Sequence, residues 1–130
     1  MLRLAPLPFL ERRIMTLKNA PRKGREFELK VAKLIRDKVD KDCKRMFRSG
    51  AVAHFPEDIY TKLPLHIECK NQEKIKLWKW WDETLSRNRF GKDPVLVITS
   101  NHRPILAVVE IEYLLNLLKV QEDYIADIKE

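Results

Sequence analysis

Only three glycines occur in the 130 residues, and no segment repeats or collapses to a few residue types. Collagen-like, low-complexity and wholly disordered classes are therefore excluded. Cysteine is scarce as well: Cys43 and Cys69 form no CxxC and no paired Cys/His spacing. Neither a disulfide framework nor structural zinc is expected, and a reducing cytoplasm is the expected compartment. Long apolar runs are missing. The longest, Pro94 to Thr99 and Ile105 to Val109, fall far short of the ~20 residues a membrane-spanning helix needs. No membrane partner is expected, and no Gly/Ser-rich linker divides the chain.

What is present suits a single small core. Hydrophobic residues make up 45% of the sequence, enough for one domain of this length. Lysine and arginine number 26 against 19 acidic residues, a net charge of +7. That bias favours polyanionic partners such as nucleic acid, without selecting one. Met1 to Thr16 contains an apolar stretch broken by Pro6 and Pro8, with Glu11, Arg12 and Arg13 where a signal peptide would carry a small-residue cleavage site. It does not read as a signal peptide, and Met15 is an alternative start. Residues 1–20 are expected to form an N-terminal extension or arm, and residues 21–130 a single domain.

Periodicity supplies the elements. From Arg25 to about Val39, Phe27, Val31, Leu34 and Ile35 share a helical stripe while Lys30, Lys33, Arg36 and Asp37 face mostly away. Glu28 falls on the edge of that stripe, where its carboxylate can reach a cleft. Lys44–Arg48 reads as a first strand. Asp58–Thr61 and Leu65–Lys70 read as a hairpin through Lys62-Leu63-Pro64. In the second of these strands Leu65, Ile67 and Cys69 point one way and His66, Glu68 and Lys70 the other. Glu73–Asn88 reads as a helix on Leu77, Trp78, Trp81 and Leu85, two more strands follow at Val95–Thr99 and Ile105–Glu110, and a Leu-rich helix runs from Ile111 to about Val120. The order α-β-β-β-α-β-β-α predicts an α/β fold, a mixed five-stranded sheet flanked by helices.

Chemistry concentrates in the hairpin. Glu68 and Lys70 lie two apart on one strand face, their backbones separated by about 6.5–7 Å. A partner strand starting at Asp58 brings a second carboxylate beside Glu68. Two anions in proximity repel unless a cation sits between them, and an oxygen donor set of this kind suits Mg²⁺. Lys70 adds positive charge beside an attacking water or a phosphate, so the implied chemistry is phosphodiester hydrolysis.

Asp58, nine intervening residues and Glu68-Cys69-Lys70 resemble the PD-(D/E)XK nuclease signature, on a hairpin that follows an opening helix as in that superfamily's restriction-endonuclease-like core. Lys23-Gly24-Arg25-Glu26-Phe27-Glu28 is similar to the Lys-Gly…Glu opening of archaeal-type Holliday-junction resolvases, and Arg48-Ser49-Gly50-Ala51 to their Arg-Ser-Gly segment. The likeness spans about residues 22 to 115. It implies a metal-dependent endodeoxyribonuclease of DNA recombination and repair, in a prokaryotic, archaeal or viral context, that cuts branched DNA as a homodimer with Mg²⁺, for which Mn²⁺ substitutes. Glu28, Asp58, Glu68 and Lys70 are then the catalytic residues. Asp58, Glu68 and the Cys69 backbone carbonyl are the metal ligands, with Glu28 holding or orienting the metal as well, and Lys23, Arg25, Arg48, Ser49 and Gln72 contact DNA. The usual adjacent Pro-Asp is here Pro56-Glu57-Asp58, so Glu57 and Asp58 both stand as ligand candidates, with Asp58 fitting the strand register better. A nuclease for flaps, ends or duplex DNA, and a non-catalytic DNA-binding module, are alternatives on the same fold.

Blander readings apply elsewhere. An isolated Glu-x-Lys is usually a solvated pair on an edge strand. Trp78 and Trp81 read as core and Trp80 as the exposed tryptophan available for contact. His54, His66 and His102 lack metal-ligand spacing, and Cys69 reads as packing. Leu114, Leu115, Leu117 and Leu118 exceed what one buried face requires, which makes the last helix a candidate dimer interface.

Overall fold

The computed structural model describes residues 9–46 and 57–129. Helix α1 spans Phe9–Lys38, followed by β1 (Lys44–Arg45), β2 (Ile59–Tyr60), β3 (Leu65–Asn71), α2 (Leu77–Arg87), β4 (Asp93–Thr99), β5 (Leu106–Val108) and α3 (Ile111–Lys129). The five strands form one mixed sheet in the order β1-β2-β3-β4-β5. Only β3 and β4 run parallel, joined by the α2 crossover, and the other neighbours are antiparallel. The predicted α/β architecture and element order are therefore observed. Among the described residues no helix is long and apolar enough to cross a membrane.

Helices cover both faces of the sheet. Phe27, Val31 and Ala32 of α1 pack on Cys43, Ile59, Ile67, Cys69, Val95 and Val97, while Trp80 and Trp81 of α2 pack on Leu96 and Ile98. The β-branched run of β4 thus alternates between two apolar layers, as a buried parallel strand does. Strand β3 gives Ile67 and Cys69 to the α1 layer, as its alternation predicts. It gives His66 and Glu68, both 1% exposed, to the α2 side.

Behind α1, the buried Asp40 carboxylate ties the helix end to the β2–β3 turn. It accepts hydrogen bonds from Thr61 Oγ1 (2.6 Å), Lys62 N (2.9 Å) and Asp42 N (3.0 Å). The Thr61 hydroxyl, with the two backbone N–H groups, holds its pKa below the ordinary 3.8 against the opposing effect of burial.

Several expectations need correction. Helix α1 runs through Pro21 and Gly24, read as its preceding breakers; a proline forfeits one backbone bond without ending a helix that continues on both sides. Leu34 is exposed, because the buried stripe closes on Ala32 and Ile35 instead. The tryptophans reverse: Trp80 is 2% exposed and Trp78 75%. The inner face of α2 follows Leu77, Trp80, Trp81 and Thr84, one position out of phase with the predicted stripe, and the Thr84 hydroxyl is satisfied by Trp80 O at 2.8 Å. That helix starts at Leu77 rather than Glu73, whose carboxylate instead accepts from Asn101 N at 2.8 Å. The expected strand Lys44–Arg48 is described only at Lys44–Arg45, and α3 continues to Lys129 rather than ending near Val120.

Candidate functional site

Ile59 pairs with Ile67 across the β2–β3 ladder, and Asp58 stands immediately before β2, where that regular register ends. The backbone N–H of Asp58 donates to Ile67 O at 3.2 Å. The next ladder bond is replaced: Cys69 N donates to the Asp58 carboxylate at 2.7 Å. A side chain thus takes over the acceptor's role where β2 leaves β3. In a strand, the N–H and C=O of one residue point to the same edge, so the Cys69 carbonyl faces the side from which the Asp58 carboxylate approaches.

Three carboxylates are buried in this corner, on Glu57, Asp58 and Glu68. Buried anions demand compensation, and the surroundings provide it. His66 Nε2 lies 3.0 Å from Glu68 Oε1, and its Nδ1 lies 3.7 Å from Glu57 Oε1. Lys92 Nζ donates to Glu57 at 2.9 Å, and Arg87 reaches Glu68 Oε2 at 3.4 Å. Lys70 shares the Glu68 face, and its ammonium is 3.3 Å from Glu83 of α2.

The predicted residues divide into groups. The Asp58 carboxylate meets Cys69 N, Glu68 and Lys70 share one face of β3, and Glu57 rather than Asp58 joins Glu68 at His66. The Glu28 carboxylate accepts from Arg45 Nε at 2.6 Å; among the described residues this pair links it to β1 rather than to the Asp58–Glu68–Lys70 group. Lys23 stands 3.9 Å from Glu73, Arg25 is exposed, and Gln72 is exposed at the end of β3 with its backbone N–H on Thr99 O at 3.2 Å. Arg48, Ser49 and His54 lie outside the described residues. Sequence reading missed Glu83, Arg87 and Lys92. The signal was present for two of them, since Glu83 and Arg87 continue the Trp80–Thr84 stripe and so place charged groups on a helix face turned to the sheet.

The donor set fits a hard divalent cation. Among the described residues no three His, Cys, Asp or Glu side chains converge to hold a metal. The oxygen donors near the end of β3 are the carboxylates of Glu57, Asp58 and Glu68 and the Cys69 carbonyl. Mg²⁺ is typically held by one or two carboxylates while keeping several waters.

Neither the curated proteins nor the solved structures yield a match. The profile of one family does match, over residues 19–128, and its description is phage putative PDDEXK endonuclease. That span includes every element of the sheet, all of α2 and nearly all of α3. The chain accordingly belongs to the phage putative PDDEXK endonuclease family, within the PD-(D/E)XK superfamily of nucleases.

Proposed function

We propose that the protein is a Mg²⁺-dependent endonuclease hydrolysing DNA phosphodiester bonds, with Asp58 and Glu68 as side-chain metal ligands and the Cys69 carbonyl as the backbone ligand. The observation that carries this reading is the Asp58 carboxylate anchored on the backbone N–H of Cys69, the residue between Glu68 and Lys70. A bound Mg²⁺ supplies water activation and neutralisation of phosphate charge. The chain's residues do the positioning. His66 and Arg87 hold the two Glu68 oxygens, and the Cys69 N–H fixes Asp58. Lys70, steadied by Glu83, presents an ammonium to the charge that develops on the phosphate in the transition state. Glu28, held by Arg45, acts as the additional acidic residue at the margin of the site.

Branched DNA is the substrate we assign. Its support is the likeness of Lys23-Gly24…Glu28 and Arg48-Ser49-Gly50 to archaeal-type Holliday-junction resolvases. Paired incisions at a junction require two active sites related by a two-fold axis, and α3 offers the surface. The helix has no buried residue, and Ile111, Leu114, Leu115, Leu117, Leu118, Tyr124 and Ile128 are all exposed. Ile111, Leu114, Leu118, Ile125 and Ile128 recur at spacings of three, four, seven and three, the seam of a helix that pairs with another helix. Fully burying a side chain of this size removes roughly 100 Å² of apolar area. Averaging about half exposure, these five side chains supply roughly 250 Å², about half the apolar share of the ~800 Å² per partner in a stable interface. A second copy of this chain is the occupant. The family match favours a second substrate reading, a phage-type nuclease for flaps, ends or duplex DNA.

Cleavage of a four-way junction, a flap and a linear duplex separates the two substrate readings. Chelation should abolish cutting, and Glu68→Gln and Lys70→Ala should each lower the rate by about 10²-fold or more. Variants that cut at the wild-type rate would refute the site.

A further inference from the structure

On the α1 face, a second feature lies beyond the nuclease residues. At the carboxyl ends of the parallel strands β3 and β4, a cleft of about 340 Å³ opens beneath α1, with Lys23, Lys30, Asn71, Ser100 and Arg103 among its lining residues. Asn71 directly follows Lys70 on β3, so alternation turns it to the opposite face from the Glu68–Lys70 group. A strand that passes the β3 end can therefore meet both.

Three observations set the cleft apart. First, its rim carries Lys23, Lys30 and Arg103 against one lining acid, Glu26, which is paired with Arg22 at 3.0 Å, while Glu73 stands 3.9 Å from Lys23 at the edge. Second, the Asn71 Oδ1 atom is buried and has no hydrogen-bond partner among the described residues. A buried acceptor left unpaired costs stability, and it has a use where an incoming group brings an N–H. Third, the β4–β5 turn that carries Arg103 is internally hydrogen-bonded: the Thr99 hydroxyl has Ser100 O, Arg103 O and Pro104 O as alternative acceptors at 3.1–3.3 Å, and Arg103 N donates to Ser100 O at 3.2 Å. In that turn His102 takes φ +59°, the left-handed region that a non-glycine residue adopts at some cost. Strain of this kind persists where surrounding contacts fix it.

We infer that this cleft is a substrate subsite that binds one nucleotide of the DNA strand away from the cut. Lys23, Lys30 and Arg103 take its phosphate, and Asn71 Oδ1 accepts an exocyclic N–H of its base. The volume is at the small end of the range for ligand sites. The inference rests on the nuclease reading for the identity of the polymer, but the cleft's chemistry is separate from the Asp58–Glu68 corner. Sequence periodicity had placed Lys30 on a solvated face, and nothing in it pointed to Arg103.

The test is equilibrium binding of a fluorescent four-way junction and of a single strand in the presence of chelator, across a range of salt concentrations. The triple variant Lys23→Ala/Lys30→Ala/Arg103→Ala should weaken binding about fivefold or more near 0.15 M salt and lower the slope of log K against log salt by about 1, the signature of one lost phosphate contact. Lys33→Ala/Lys119→Ala/Lys129→Ala removes the same charge from elsewhere and should leave the slope unchanged. Asn71→Ala should weaken binding about threefold to tenfold without changing the slope. Equal slopes in the two triple variants would overturn the inference. If metal-dependent cleavage persists alongside equal slopes, the subsite fails and the nuclease reading stands. If the slope falls as expected but no chelator-sensitive cleavage is found, the subsite stands and the nuclease reading fails.

Discussion

Divalent cations should raise the thermal stability of this protein, and the increment should depend on Glu68. Glu57, Asp58 and Glu68 are each no more than 5% exposed, and the folded state carries the cost of burying these carboxylates. A cation that binds the folded chain and not the unfolded one stabilises it by mass action. At 10 mM Mg²⁺ and a dissociation constant near 1 mM the gain is about 1.4 kcal/mol. For a domain of this length the unfolding entropy is about 0.27 kcal/mol/K, so Tm should rise by about 5 °C. Glu68→Gln keeps the shape and hydrogen-bonding capacity of the side chain but removes its charge, and it should abolish most of that rise. The assay is thermal unfolding followed by tryptophan fluorescence at constant ionic strength, with Trp80 and Trp81 buried against the sheet as reporters. An equal Tm increment in wild type and Glu68→Gln, or none in either, would refute the reasoning.

Other outcomes follow from the same geometry. Trp80→Ala should cost about 3–5 kcal/mol in urea unfolding, as expected for an aromatic removed from a core, whereas Trp78→Ala should stay within about 0.5 kcal/mol. The Asp40 carboxyl is held below 3.8 in the folded protein, mainly by the Thr61 hydroxyl. Its contribution to stability is therefore complete above the unfolded pKa and is lost as pH falls through the folded one. Acid unfolding of Asp40→Asn should show a shallower loss of stability below pH 3.8 than wild type, and parallel profiles would contradict this. Leu114→Glu/Leu118→Glu should convert a sedimenting dimer to monomer while leaving the far-UV spectrum unchanged, because neither side chain is buried within the chain.

Most of the architecture was legible because β3 carries period-two alternation and the middle of β4, Val95–Ile98, is apolar. Ile67 and Cys69 face α1, and His66 and Glu68 face α2, as alternation alone requires. The phase of α2 was harder to read. With Trp at positions 78, 80 and 81, two overlapping stripes that share Leu77 and Trp81 compete for the buried face. The fold selects the one that also aims Glu83 and Arg87 at Lys70 and Glu68. Breaker residues misled at Pro21 and Gly24, because the context of a continuous helix outweighs two local penalties. Within the site, the alternation that sets Glu68 and Lys70 on one face of β3 was readable. The charges that surround it were not, because Lys92 reaches Glu57 across 35 positions of sequence. The orphaned Asn71 oxygen likewise becomes visible only once α1 and the β4–β5 turn close over it.

The most direct measurement is anomalous diffraction from a crystal grown with Mn²⁺. The account predicts one peak within coordination distance of the Asp58 and Glu68 carboxylates and the Cys69 carbonyl. A protein that binds Mn²⁺ only elsewhere, with Asp58 still on the Cys69 N–H and Glu68 still between His66 and Arg87, would contradict it.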